Sequence, residues 1–401
     1  MMKILLQFIK NRILFPCFLV LLFSMLHSVQ AYSTDLDIYG YYEPQYQGFY
    51  INDQYIHLNS NKLRVDLRSQ PVESVELKAN FNSILYFGQT TWNILDYLPS
   101  SLTSSLSNEL AANFAFDFEN QYYLDNVYAK FKTEYIDVTI GKQQIAFGSG
   151  YAWNPIDTFN QKDVMDPTYE KAGVNAIRLE GNIGTRFSYD LMVSPAEDLT
   201  DSGKLARAKI FLGSFDFSAM YVEQAWTYTD YSTFTETSYL RRLIGGDLSG
   251  ELLGVGMHAE GGYSILVDGD NFWEVLGGLD YTFDFETMIM IEYYHNSQGK
   301  TSSADYTLTD WMQYYAQEKK TIAQDQIYFY LSHPLSDFIE AGLSVISCIN
   351  DASFMVVPMF TYSMLENVDL SMFIGANIGE TGDFYGSSAG QGGFVRAKVY
   401  F

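Results

Sequence analysis

Apolar and polar side chains alternate one for one along most of this chain, and this pattern restricts its fold more than any other feature. Leu63, Val65 and Leu67, for example, alternate with Arg64 and Asp66. A period of two places successive side chains on opposite faces of a β-strand. The pattern therefore predicts an all-β protein whose strands each have one apolar face and one polar face.

The alternating segments number eighteen. The predicted strands cover residues 35–45, 60–69, 72–88, 122–132, 135–147, 173–182, 186–194, 204–213, 215–227, 239–249, 252–264, 271–283, 286–297, 323–333, 336–350, 352–363, 366–379 and 391–401. An even number of antiparallel strands suits a closed barrel, because closure leaves no unpaired edge. Sixteen strands is the alternative if the first hairpin or the 204–227 pair is assigned wrongly.

The connections between these strands alternate between short and long, with one exception, a tight turn near 350–351. Short turns at one rim and long loops at the other are typical of outer-membrane barrels. The sequence thus predicts a transmembrane antiparallel β-barrel of about eighteen strands, with short periplasmic turns and long extracellular loops. Apolar residues at helical spacing near 95–110, and aromatic ones near 306–323, predict short helices that plug or cover the mouth.

Two positions disturb the alternation. Pro358 lies inside the strand predicted at 352–363, and a closed barrel has no edge where a missing N–H is harmless. We expect a β-bulge or a wrong strand boundary at this position. The alternation also slips between Gly141 and Gln144, where a second bulge would have the same effect.

The first residues have the layout of a cleavable secretory signal. Lys3, Lys10 and Arg12 precede an apolar run, and a small residue stands at the expected cleavage position. The apolar run is too short to span a bilayer comfortably. We therefore expect a signal peptide at 1–31 and a single transmembrane β-barrel at 32–401, exported to the cell outer membrane.

The expected mature chain is strongly acidic. Three of the 24 basic residues and none of the 48 acidic residues lie in the signal, which leaves a net charge of −27. Such a charge argues against nucleic acid or anionic lipid as an electrostatic partner. Cys348 is the one cysteine outside the signal, so no intrachain disulfide is expected. Aromatic residues make up 16% of the chain, which suits strands that face lipid on one side.

The segment GKQQIAFGSGYAWNPIDTFN, followed by KAGV, resembles a segment of Gram-negative outer-membrane porin-like barrels, among them alginate-export-like and general porin-like proteins. The shared positions are Lys142, Gln143, Trp153, Asn154, Pro155, Asp157, Asp163, Lys171, Gly173 and Val174. The chain departs from the family pattern at Gln161-Lys162, where a Pro often follows the F-N pair. The resemblance covers about forty residues and implies a channel family without indicating a solute.

Charged residues of both signs occupy the polar faces of the predicted strands. An eighteen-stranded barrel is wide enough to hold water, so these residues would bias the passage of ions. The pore-lining candidates are Lys78, Lys130, Arg178, Glu180, Arg207, Lys209, Glu260, Asp280 and Glu292. A lumen filled by salt-bridged side chains, with no path through it, is the alternative.

The long connection at 148–172 is rich in aromatic, Pro, Asn and Asp residues. Aromatic and Pro residues stiffen a loop, while Asn and Asp side chains stabilise turns by bonding to the backbone. We predict that this loop folds into the barrel and narrows it. The constriction candidates are Trp153, Asn154, Asp157, Asp163 and Asp166. A purely structural cap that braces the two neighbouring strands is the alternative.

The sequence has no H-E-x-x-H or Cys/His zinc pattern. His258 and Glu260 share a strand face, but we interpret them as hydrogen-bonded lumen residues. We therefore predict no enzyme, no cofactor and no nucleic-acid partner. The expected partners are the outer-membrane bilayer, small hydrophilic solutes and the barrel-assembly machinery, which would recognise the C-terminal Phe401. A homo-oligomer is an open alternative.

The predicted function is a porin-like channel for passive diffusion of ions and small hydrophilic solutes, narrowed by the 148–172 loop. A dedicated transporter or exporter of a polysaccharide or another solute is the first alternative. It would require more basic than acidic residues at the constriction. A closed barrel with a structural or anchoring role is the second, and a barrel hydrolase is the third.

Overall fold

The computed structural model describes residues 36–401 except 52, 105, 163–165, 167–169 and 197–200. The predicted signal peptide and Asp163 therefore lie outside the described residues. In the part of the chain that is described, no helix is long and apolar enough to cross a membrane.

Eighteen antiparallel strands form one closed barrel. They are β1 (Leu36–Ile51), β2 (Gln54–Val72), β3 (Val75–Gly88), β6 (Gln121–Lys132), β7 (Ile136–Gln144), β8 (Gly173–Ile183), β9 (Phe187–Ser194), β10 (Gly203–Leu212), β11 (Phe215–Asp230), β12 (Thr235–Leu252), β13 (Val255–Leu266), β14 (Phe272–Thr282), β15 (Met288–Asn296), β16 (Asp325–Ser336), β17 (Ile339–Cys348), β18 (Phe354–Leu365), β19 (Val368–Ile378) and β20 (Gln391–Tyr400). The barrel closes because β1 pairs with both β2 and β20. The predicted count of eighteen is confirmed, and the alternative of sixteen is wrong.

The remaining elements belong to the long loops. β4 (Thr91–Asn93) and β5 (Ala115–Asp117) form a two-stranded ribbon in the loop that follows β3. That loop also contains single helical turns, α1 (Ser100–Thr103) and α2 (Asn108–Ala111). α3 (Leu308–Tyr315) lies in the loop between β15 and β16 and begins with a capping box made by Thr307 and Asp310. The short helices predicted for these two loops are therefore confirmed.

The strands turn their apolar faces outward and their charged faces into the barrel. Ile140, Ile177 and Ile244 are about half exposed on the outside, whereas Arg64 and Asp66 are buried inside. This arrangement is the reverse of a water-soluble protein and fits a barrel whose outer surface contacts lipid.

The two disturbed positions differ from expectation. Pro358 pairs with Leu343 on β17, and the register of β18 with β19 is the same on both sides of it, so a bulge there was a wrong prediction. The bulge predicted near Gly141 is also wrong for β7, because β7 pairs with both of its neighbours without a register shift. The shift lies instead in the neighbouring strand β6, where Asn80 Oδ1 accepts hydrogen bonds from the backbone N–H groups of Asp125 (3.0 Å) and Asn126 (2.8 Å).

Candidate functional site

After β7 the chain turns into the barrel and forms what we call the inner loop, residues 145–172. Its apolar side chains Ile145, Phe147, Trp153 and Ile156 are each at most 4% exposed. Trp153 stacks on Tyr294 of β15, with ring centroids 5.2 Å apart and planes 11° from parallel. The apolar residues of the inner loop therefore pack against the inner wall of the barrel, as the prediction of an inward-folded loop requires.

Two buried carboxylates on the wall bind the backbone of the inner loop. Glu260 on β13 accepts a hydrogen bond of 2.5 Å from Gly150 N. Glu292 on β15 accepts hydrogen bonds from the N–H groups of Tyr151 and Ala152, the latter at 2.8 Å. Charge-assisted hydrogen bonds of this kind are among the strongest in proteins. Both glutamates were predicted to line the pore, and the structure places them beneath the loop.

A second set of hydrogen bonds fixes the shape of the loop itself. Asp157 Oδ1 accepts from the backbone N–H groups of Phe159 (3.0 Å) and Asn160 (3.1 Å). Asn154 Nδ2 donates to Phe147 O at 2.8 Å. Burial raises the pKa of Asp157, although Lys171 and these N–H groups act in the opposite direction. Asn154 and Asp157 thus stabilise the turns of the loop, which is the role that Asn and Asp typically have in loops.

The other end of the inner loop is attached to a different part of the wall. Glu170 forms ion pairs with Lys62 and Arg64 of β2, both at 2.9 Å, and Asp166 pairs with Arg396 of β20 at 2.8 Å. Burial acts to raise the pKa of Glu170, but the two basic groups outweigh it and hold that pKa at about 2.

The two attachments lie on opposite sides of the barrel. In the closed order of eighteen strands, β2 is nine positions from β13, which is half of the circumference. The inner loop therefore extends from one wall, at Glu260, to the facing wall, at Lys62 and Arg64. A segment held at both sides of a barrel reduces the cross-section that is open to water.

Two lysines bind backbone carbonyl groups of the inner loop. Lys162 Nζ donates to the carbonyl oxygens of Gly150 and Tyr151, the latter at 2.8 Å. Lys320 Nζ donates to Asn154 O at 2.6 Å and to Pro155 O at 3.0 Å. Burial lowers the pKa of Lys162 to about 8 and also lowers the pKa of Lys320. The sequence analysis selected neither lysine. For Lys162, the departure from the family pattern at Gln161-Lys162 was the available signal.

We expect the ion selectivity of this lumen to change between pH 7 and 9. Because the pKa of Lys162 is lowered to about 8, its ammonium loses its proton as the pH rises through that value. The loss of a positive charge from the inner loop should increase the preference for cations over anions. The reversal potential in a salt gradient at pH 6.5 and pH 9 measures this change. The variant Lys162→Met should show a smaller change; an equal change in both proteins would contradict the assignment.

Five of the predicted pore-lining residues surround one cavity of about 430 Å³ on the short-turn side of the inner loop. They are Lys130, Arg178, Glu180, Arg207 and Lys209. Each of the four basic residues forms an ion pair, at 2.5–3.0 Å, with a neighbouring acid. These pairs are Lys130–Asp137, Arg178–Asp190, Arg207–Asp247 and Lys209–Asp216. The described lining contains four basic and four acidic residues, so its formal charge is balanced.

The inner loop separates this cavity from the long-loop side. The ring of Phe147 lies 6.0 Å from the guanidinium of Arg178 and 5.5 Å from that of Arg207. On the other side lie two cavities of about 220 and 370 Å³. The structure does not bring Lys78 on β3 or Asp280 on β14 into the described lining of any of these cavities. Among the described residues, no group of His, Cys, Asp and Glu could hold a metal ion.

Comparison with known proteins gives a match in structure alone. No protein-family model matches the chain, and no curated protein matches its sequence. The outer-membrane protein OpdK from Pseudomonas aeruginosa matches with a TM-score of 0.57 and 9% identity, over 92% of this chain and 98% of that chain.

Two further solved structures give similar values. OccK11 (OpdR) from Pseudomonas aeruginosa matches with a TM-score of 0.56 and 10% identity, over 92% of this chain and 96% of that chain. OccAB4 from Acinetobacter baumannii matches with a TM-score of 0.56 and 8% identity, over 92% and 98% of the two chains. Identities this low establish a common fold and nothing more. The chain is a closed, eighteen-stranded antiparallel β-barrel with the architecture of the outer-membrane porin barrels.

Proposed function

We propose that this protein is an outer-membrane channel through which ions and small hydrophilic solutes diffuse passively. The observation that supports this proposal most is the inner loop, which is attached to opposite walls and has polar cavities of about 430 and 220 Å³ on its two sides. An eighteen-stranded barrel is wide enough for water, and a loop across it leaves a narrow passage that can discriminate by size and charge.

The cellular setting belongs to the same proposal. The signal-like segment at 1–31 would direct the chain out of the cytoplasm, and the apolar outer face would place the barrel in the outer-membrane bilayer. Phe401 exchanges two backbone hydrogen bonds with Gly40, at 3.0 and 3.1 Å, beside the closing pair of strands. Recognition of Phe401 by the assembly machinery, homo-oligomer formation and a closer relation to alginate-export-like proteins stay predictions.

The alternatives make different demands on the lumen. An exporter of an acidic polysaccharide would need an excess of basic residues, whereas the cavity on the short-turn side has equal numbers of both signs. A hydrolase would need a nucleophile beside a histidine, and His258 instead lies 2.6 Å from Glu292 beneath the inner loop. These observations favour the channel over the exporter and the hydrolase. A conductance measurement distinguishes the channel from a closed barrel.

The test is single-channel conductance of the refolded protein in a planar bilayer, compared with a variant that lacks residues 151–170. We expect steady conductance from the intact protein and severalfold higher conductance from the variant, because the deletion removes most of the inner loop. A deletion of the exposed residues 232–233, in another loop, is the control and should leave conductance unchanged. Silent bilayers with both folded proteins would refute the channel and favour a closed barrel.

A further inference from the structure

The cavity of about 370 Å³ on the long-loop side has a lining unlike that of the other cavities. Seven of its sixteen described lining residues are aromatic, and they come from four separate segments of the chain. These are Phe49, Tyr97, Trp311, Tyr314, Tyr315, Phe384 and Tyr385. Lumen-facing residues of a porin-like barrel are generally polar. A concentration of rings inside the mouth therefore calls for a separate explanation.

The aromatic frame is held in position before any solute arrives. Trp311 stacks on Tyr315 with ring centroids 6.0 Å apart, and Tyr314 meets Phe384 edge to face at 4.9 Å. Tyr385 donates a hydrogen bond of 2.7 Å to Gln326 on β16. A preorganised site binds more tightly because few side chains lose freedom on binding. Tyr314 and Phe49 are half-buried, so part of each ring faces the cavity.

The polar groups of this lining include hydrogen-bond donors and acceptors. Trp311 is 1% exposed, and its indole N–H has no hydrogen-bond partner among the described residues. The same is true of the buried hydroxyl of Tyr97. Both atoms are covered by protein, so they do not face a solute in the cavity. The polar groups that line the cavity and can reach a solute are Lys162 and the side-chain amides.

The charge of the lining restricts the ligand further. The whole chain has 48 acidic residues, yet none of the described residues around this cavity is acidic, and Lys162 is the one charged residue among them. Gln161, Gln317 and Asn377 add three side-chain amides. Amides and lysine recognise the acceptor-rich edges of nucleobases, and aromatic rings stack on nucleobase faces.

We propose that this cavity binds a flat heteroaromatic solute of the nucleoside class, with the ring stacked against aromatic side chains and its polar edge facing Lys162 and the amides of Gln317 and Asn377. This inference rests on the proposed channel function and deepens it by naming a solute class. The cavity volume lies within the range of small-molecule sites.

The experiment is calorimetric titration of the full-length protein, refolded in detergent, with guanosine, ribose and benzoate as separate probes. We expect guanosine to bind with saturation and ribose not to bind, because ribose has no aromatic ring. Benzoate should bind more weakly than guanosine, because it has a single acceptor group. Binding of ribose, or of benzoate more tightly than guanosine, would overturn the nucleoside assignment. Absence of guanosine binding would overturn it as well.

Variants locate the binding. Tyr314→Leu removes one stacking surface and should weaken guanosine binding about tenfold, within the range measured for base stacking on aromatic residues. Gln317→Asn shortens an exposed amide at the cavity and should weaken binding without affecting the barrel. The control is Trp273→Phe, because Trp273 is 43% exposed on the outer face of β14. Equal affinities in wild type, Tyr314→Leu and Gln317→Asn would place the binding elsewhere and refute the site.

Calorimetry keeps this inference separate from the channel proposal, because it measures binding without any passage of solute. Conductance without guanosine binding would leave the channel and remove the inference. Guanosine binding by a protein that is silent in bilayers would support the binding site and refute the channel.

Discussion

Replacement of Glu292 by alanine is expected to release the inner loop from the wall and to raise single-channel conductance severalfold. The side chain is 0% exposed, and it accepts the N–H groups of Tyr151 and Ala152 and contacts His258. Each buried donor that is left without a partner costs about 1–3 kcal/mol. A total of about 3 kcal/mol would change the ratio of attached to released loop by about a hundredfold, since 1.36 kcal/mol corresponds to a factor of ten.

The matched control for this experiment is Asp280→Ala. Asp280 is a half-buried lumen carboxylate on the neighbouring strand β14, near the short-turn rim. Its removal should change ion selectivity slightly and leave the size of the conductance steps similar to wild type. If Glu292→Ala, folded by the criterion of heat-modifiable gel mobility, conducted no better than Asp280→Ala, the inner loop would not be the element that narrows the lumen.

Replacement of Gly40 by valine is expected to prevent or strongly weaken closure of the barrel. A Cβ atom at this position would lie 2.1 Å from the carbonyl oxygen of Arg64, which is a backbone atom of the paired strand and cannot turn away. Gly40 also exchanges two backbone hydrogen bonds with Phe401 at the seam. Overpacking of this kind costs about 1–3 kcal/mol and sometimes more. The temperature at which the folded gel band disappears measures the loss.

Gly277→Val makes the same chemical change at a harmless site. Gly277 lies on the exposed outer face of β14, and a Cβ atom there would have no other atom within 4 Å. This variant should therefore fold with nearly the wild-type transition temperature. Equal transition temperatures for the two variants would show that close approach of β1 and β2 at Gly40 does not control closure.

The strand pattern could be predicted because the face on which a side chain lies is a local property of an extended chain. All eighteen barrel strands were predicted, but the structure extends several of them at the long-loop rim. β2 begins at Gln54 instead of residue 60, and β12 begins at Thr235 instead of residue 239. We attribute the difference to the position of the strand ends near or beyond the lipid. Hydrogen bonds between the strands continue there, while neither face needs to be apolar, so the alternation ends before the strand does.

The inner loop was predicted in part. Its composition and the resemblance indicated a stiff segment that folds inward, and the structure confirms the inward path. Trp153, Asn154 and Asp157 were selected as residues that narrow the lumen, and they lie buried within the loop and against the wall. Their direct contact with a solute stays a prediction. Glu170 was not selected, because an isolated acid near the end of a loop has no local pattern that indicates an ion pair 108 residues away.

The sequence by itself therefore determined the number of strands, the face that meets lipid and the rim at which the long loops lie, because each of these depends on near neighbours in the chain. Only the tertiary structure decided which charges meet. Closure of the barrel brings Gly150 to Glu260, 110 residues away, and Glu170 to Lys62 on the facing wall. The strand register and the path of the loop together set these distances. The alternation of apolar and polar residues does not reveal them, because it would be the same whichever residues were paired.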